Sequence, residues 1–215
     1  MLLLSLAPNA ATLPRRRPDR RPGPEGNALK VEIAEPDPRW PAAFEAARRA
    51  LASIPGAARI EHIGSTSVPG LAAKPILDLL IGVEDPALLD TSGEEAWSTA
   101  STWSLAPGGP SAHVAFVEAI TRVGYVYRGD GGFEAHLFFR RDTNGRRSHH
   151  VHVAALGGAY WIDHLLFRDY LRAHPERAAA YGALKRRLAA ELPESRPYTD
   201  AKTAFVEAVL ADARR

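Results

Sequence analysis

Glu61-His62-Ile63-Gly64-Ser65-Thr66-Ser67-Val68-Pro69-Gly70-Leu71-Ala72-Ala73-Lys74-Pro75-Ile76-Leu77-Asp78 joins a hydroxyl-rich Gly-Ser turn to a lone carboxylate inside an apolar run. A glycine lets backbone N–H groups approach an anion closely, and the Ser and Thr hydroxyls add donors. A carboxylate inside an apolar strand is costly to bury unless a cation, a metal or hydrogen-bond donors meet it. The pair therefore reads as a nucleotide or phosphate site, with a metal as an option. It is not a Walker A loop: Gly64 and Gly70 are six residues apart and Lys74 follows no Gly directly.

Outward from this stretch, residues 58–63 read as a short strand. Ile76 to Val83 reads as a strand covered on both faces, because it is apolar without alternation. Upstream, Asp37 is placed to cap a helix with Pro38 in its first turn, and Trp40, Phe44, Ala47 and Leu51 recur at helical spacing. Order is expected to start at Lys30-Val31-Glu32-Ile33. Residues 91–110 read as a loop insertion, with Trp97 and Trp103 pinning it to the body. Val114 to Val123 is expected as a helix, with strands at 125–127, 136–140 and 148–154. Asn144-Gly145 marks a hairpin between the last two. From Tyr160 the chain reads as helical in three pieces, broken near His174-Pro175 and between Pro193 and Pro197.

The 215 residues, 46% of them hydrophobic, suit a single domain with a real core. The net charge of +2 is unevenly spread. Residues 1–27 carry five Arg against Asp19 and Glu25, a net of +3, which leaves −1 for residues 28–215. This Pro/Arg-rich tail is expected to be disordered, and the body is too neutral to read as a nucleic-acid binder. An RNA-binding reading through the tail ranks third, because the tail has no aromatic interleaving. The chain has no Cys, which excludes thiol nucleophiles, zinc–thiolate sites and disulfides. No run approaches the length of a membrane span, so no membrane partner and a cytoplasmic location are expected.

The stretch 61–78 resembles the block "HIGSTxVPGLxxKPxxD" of the GrpB (UPF0157) family. The resemblance continues through Gly124 to Asp130, His136 to Arg140, His149 to Val153, Leu166 to Arg172, Tyr181 to Lys185 and Tyr198 to Lys202. It spans about residues 30–211. It implies an α/β (α+β) fold of nucleotidyltransferase type: a mixed β-sheet flanked by helices, with a helical C-terminal third. It also implies Gly64-Ser65 ending one strand and Asp78 on the next. Members of this family also occur fused to a dephospho-CoA kinase domain, for which this chain has no room. In nucleotidyltransferases the position two residues after the Asp carries a second carboxylate; here it is Leu80.

The candidate residues each admit two readings. Gly64, Ser65 and Thr66 hold phosphate or form an ordinary turn, and Asp78 is a catalytic metal ligand or a structural acid paired with Lys74 or an Arg. His150 and His152 share one strand face and join Asp78 around Mg²⁺ or Mn²⁺, or they lie on an exposed hairpin face. His152, near the place of a third carboxylate, is assigned to the catalytic set with Asp78. His62 binds phosphate when charged or supports the loop. Lys74, Arg128 and Arg140 clamp phosphates or are solvated. Arg168 and Arg172 repel unless an acid or ligand lies between them. Lys185 and Lys202 reach a phosphate chain or lie on solvated helix faces.

Two functions are consistent with these residues. One is metal-dependent transfer of a nucleotidyl group from a nucleoside triphosphate to an acceptor that the residues do not name. The other is a catalytically lapsed accessory module that binds a nucleotide or another phosphorylated small molecule. The missing second carboxylate supports the latter.

Overall fold

The computed structural model describes residues 31–91, 111–192 and 195–215. The tail and the 91–110 insertion, with Trp97 and Trp103, lie outside the described residues apart from Thr91. Five strands form one sheet: β1 (Arg59–Ile63), β2 (Leu77–Val83), β3 (Val126–Tyr127), β4 (His136–Thr143) and β5 (Arg146–Ala155). The order is β1-β2-β5-β4-β3, with β2 and β5 parallel and the other pairs antiparallel. Asn144 and Gly145 form the two-residue β4–β5 turn, both with positive φ (53° and 73°), as a turn that matches the strand twist requires.

β2 is covered on both faces, as its unbroken apolar run predicts. Leu77, Leu79, Ile81 and Val83 join Val151, Val153, Leu137 and Phe139 in the main core. Two helices close that face: α1 (Trp40–Leu51) through Phe44, Ala47 and Leu51, and α2 (Ala112–Arg122) through Phe116, Val117 and Ile120. On the opposite face Leu80 packs with Ile63, Ala154, Tyr160 and Trp161 under α3 (Ala159–Ala173). α1 starts later than expected. Asp37 accepts from the Arg39 N–H (2.9 Å) ahead of the helix, Arg39 occupies the cap position, and the first-turn proline is Pro41.

The last third comprises α3, α4 (Pro175–Glu191), α5 (Ser195–Asp200) and α6 (Thr203–Ala213). Pro175 separates α3 from α4, as expected, and a turn at 201–202 divides the final piece into two. Leu171, Ala178, Tyr181 and Val209 bury Val68 and Leu71, so the helical third is clamped onto the loop that follows the Gly-Ser turn. No helix among the described residues is long and apolar enough to cross a membrane.

Candidate functional site

The parallel pairing of β2 with β5 sets Asp78 beside His150 and Leu80 beside His152. Side chains alternate along a strand, so all four project from the face opposite the main core, while Val151 and Val153 enter the core. One ligand atom from each of Asp78, His150 and His152 lies within 4.8 Å of the others. His150 Nδ1 meets Asp78 Oδ1 at 3.0 Å, so the carboxylate's hydrogen-bond partner is an imidazole. Buried His150 Nε2 has no hydrogen-bond partner among the described residues.

Gly64 ends β1 directly against this carboxylate. A β-carbon there would stand 2.9 Å from both Cβ and Cγ of Asp78, and the backbone lies at φ 68°, ψ −176°. That conformation is essentially restricted to glycine. Ser65–Ser67 then forms a short 3₁₀ turn. Thr66 turns its hydroxyl inward, to His62 Nε2 (3.0 Å) and the Ile76 carbonyl (3.3 Å). The Ser67 hydroxyl donates to the Gly64 carbonyl at 2.6 Å. The turn's own backbone bonds run from Ser67 N–H and Val68 N–H, which leaves the N–H groups of Ser65 and Thr66 out of them.

His62 supports the loop. It stacks on Phe44 with ring centroids 4.6 Å apart, and burial lowers its pKa to about 4, so it is neutral near pH 7.

Three side chains with no assigned role in the sequence reading complete the cluster. His136 Nδ1 lies 2.7 Å from the Asp130 carbonyl, so it carries the proton. Burial drops the His136 pKa to about 4 and keeps the ring neutral, which makes Nε2 an acceptor. That nitrogen is 3.1 Å from His152 Nδ1, so His152 donates from Nδ1 and keeps a lone pair on Nε2. Tyr160 Oη, 2.9 Å from the same Nδ1, fits as a second acceptor. His164 donates from Nδ1 to the Tyr160 carbonyl (2.7 Å) and likewise keeps Nε2 bare. Burial holds His152 well below the usual histidine range and lowers His164 too. Neutral imidazoles are what a metal requires. The alternation His136/Phe138/Arg140 and the i,i+4 spacing of Tyr160 and His164 were the available signals.

The lysines are not on solvated helix faces, which corrects that reading. Lys185 is 2% exposed, donates to the Ala72 carbonyl and has Nζ 4.7 Å from the Tyr181 ring centre. Burial, then the Lys202 charge, lowers it to about 7. Lys202 and Lys74 sit 4.6 and 4.5 Å from the Tyr198 ring centre, and burial, then Lys74, brings Lys202 to about 8. Asp78 acts in the opposite sense on both Lys185 and Lys202. Three of the chain's four lysines thus gather beside the Gly-Ser loop.

Arg168 and Arg172 do have acids between them. Arg168 bonds Glu61 (2.7 Å), Asp169 (2.7 Å) and the His62 carbonyl (3.0 Å), while Arg172 donates to the Ser67 carbonyl. They brace the turn from α3. Arg140 faces His150 across β4–β5, and Arg128 follows β3 on the same sheet face.

The comparisons with known proteins agree with this architecture. The sequence model described as "GrpB protein" matches residues 30–96 and 109–212. The UPF0157 protein YqkA of Bacillus subtilis is 35% identical over 189 residues, covering 86% of this chain. The chain spans about half (48%) of that relative's own length. A dephospho-CoA kinase of Mycolicibacterium paratuberculosis is 34% identical over 73% of this chain and 39% of its own length. The crystal structure of the conserved protein GrpB from Enterococcus faecalis superposes with a TM-score of 0.65 at 34% identity, covering 85% of this chain and 96% of that one. With the family model matching along most of its length and the same fold in a solved relative, this chain belongs to the GrpB family.

Proposed function

We propose that this protein binds a nucleoside triphosphate with a divalent cation and transfers the nucleotidyl group to an acceptor hydroxyl. The observation that carries this reading is the convergence of Asp78, His150 and His152 beside the Gly64–Thr66 turn. One carboxylate and two imidazoles suit Mn²⁺ better than Mg²⁺, which favours an oxygen shell. When bound, such an ion polarises the phosphoryl oxygens and neutralises charge that develops on them. Among the described residues nothing accepts from the N–H groups of Ser65 and Thr66 or from the Ser65 hydroxyl, so they can donate to phosphate oxygens. Lys74 and Lys202 supply positive charge for the phosphate chain. Lys185, tied to the Ala72 carbonyl, holds the loop from beneath. The acceptor oxygen would bond to the α-phosphorus as the bond to pyrophosphate breaks, and the bare Nε2 of His164 is suited to take its proton.

One observation favours a non-catalytic module instead. Leu80, where a second carboxylate would be needed, is fully buried against Ile63, Tyr160 and Trp161, and so offers no second metal position. Thermal unfolding of the full chain with each nucleoside triphosphate and Mn²⁺, Mg²⁺ or EDTA separates the two. At a hundred times Kd a native-state ligand contributes about 2.7 kcal/mol. For a domain of this size that raises Tm by about 5–10 °C. The transferase reading expects this shift with Mn²⁺, and its loss with EDTA and in Asp78→Ala. A shift indifferent to EDTA supports the accessory module, and no shift with any triphosphate removes both nucleotide readings.

A further inference from the structure

The site continues along the sheet in the direction away from the lysines. The cross-strand row through Asp78 runs to His150 on β5, Arg140 on β4 and Val126 at the β3 edge. The next row runs from Leu80 through His152 to Phe138, against which Arg128 is hydrogen-bonded (Arg128 N–H to the Phe138 carbonyl, 2.8 Å). Alternation puts Arg128 and Arg140 on the same face as the Asp78–His150–His152 cluster. Arg140 lies two strands from Asp78, about 10 Å at ordinary strand spacing. The two guanidiniums have no ion pair or hydrogen bond to any described carboxylate. Their charges oppose each other: burial and then the Arg140 and Arg147 charges lower Arg128, with Asp142 acting in the opposite sense. The lysines lie elsewhere, grouped around Tyr198 and Tyr181 on the helical third. The cluster is therefore flanked by two separate groups of cations.

We infer that Arg128 and Arg140 form a second anion subsite, distinct from the lysine group, that receives a phosphate carried by the acceptor. The inference rests on the nucleotidyl-transfer reading for the word acceptor, but the subsite itself stands on the sheet geometry. A triphosphate anchored on the Gly-Ser turn and the lysines leaves the face over β5 and β4 for the second substrate. Two guanidinium forks, one on β4 and one just after β3, match the several oxygens of a dianionic phosphate better than one carboxylate. A small acceptor fits better than a nucleic acid, because residues 28–215 carry a net charge of −1 and so lack an extended basic surface.

The test uses the full chain saturated with a non-hydrolysable ATP analogue and Mn²⁺, titrated with inorganic phosphate and, separately, acetate. Phosphate is expected to bind and acetate not. Arg128→Ala and Arg140→Ala should each weaken phosphate by about tenfold or more, as loss of a charge-assisted contact implies, with ATP-analogue affinity unchanged. Arg140→Lys should recover part of the affinity. Lys202→Ala should do the reverse, weakening the analogue and sparing phosphate. Phosphate binding that ignores both arginine variants, or that is lost with Lys202→Ala, overturns the subsite. If the analogue fails to bind but phosphate still depends on the two arginines, the subsite is upheld and the nucleotide reading falls.

Discussion

Replacing Gly64 by Ala tests the geometry at the centre of the site. The residue sits at φ 68°, ψ −176°, and a methyl group there would enter the van der Waals envelope of Asp78, 2.9 Å from its Cβ and Cγ. Two costs follow. The backbone conformer costs a β-carbon-bearing residue about 1–3 kcal/mol. The clash cannot be relieved by a flexible side-chain tip, because Asp78 Cβ is fixed to β2, so strand and turn must separate or the carboxylate must rotate away from His150. Gly70 provides the control: it also has positive φ (73°), but no atom lies within 4 Å of its virtual β-carbon. Gly70→Ala should therefore show the backbone cost without the clash. In urea denaturation, Gly64→Ala is expected to lose at least about 2 kcal/mol, and more than Gly70→Ala. Its Tm should fall by about 4–8 °C or more. Any Mn²⁺-dependent stabilisation should be lost in Gly64→Ala and kept in Gly70→Ala. Wild-type stability and metal response in Gly64→Ala would refute the packing of this turn onto the carboxylate.

Two further outcomes are expected. Lys185 and Lys202 have folded-state pKa values of about 7 and about 8, against the ordinary lysine value of 10.5. Between the folded and unfolded values the unfolded chain binds more protons, so their contribution makes stability rise with pH from about 7 to about 10.5. Urea midpoints across that window should rise less steeply in Lys185→Met, and equal slopes would refute burial of the amine. Arg168→Ala leaves Glu61 and the His62 carbonyl without their buried partner. It should cost about 3 kcal/mol by urea denaturation, while a loss under about 0.5 kcal/mol would show that the turn does not depend on α3.

Much of this was legible in the sequence because it depends on local rules. The unbroken apolar run of Ile76 to Val83 marked a strand buried on both faces, and Asn144-Gly145 marked the β4–β5 hairpin. The period of two put His150 and His152 on one face. The local rules failed where two signals competed within a few residues. Asp37-Pro38 and Arg39-Trp40-Pro41 both offer a helix start, and the later one is used. Lys185 and Lys202 on helices read as solvent-facing because nothing local reveals that Tyr181, Tyr198 and the Ala72 carbonyl lie above them. His136, Tyr160 and His164 carried weak signals, since each gains meaning only through a partner in another element or one helical turn away.

The sequence by itself determined the element types, the glycine at the end of β1 and the pairing of a Gly-Ser turn with a carboxylate, because these follow from backbone sterics and side-chain periodicity. Only the tertiary structure decided that β2 lies parallel to β5. That register, set by long-range burial of Leu79, Ile81, Val151 and Val153, brings Asp78 to His150 from 72 residues away. It also decided the tautomer of His152 through His136, and gathered the lysines and the arginines on different sides of one carboxylate. Distances between residues remote in sequence fix those features, and no local pattern encodes them.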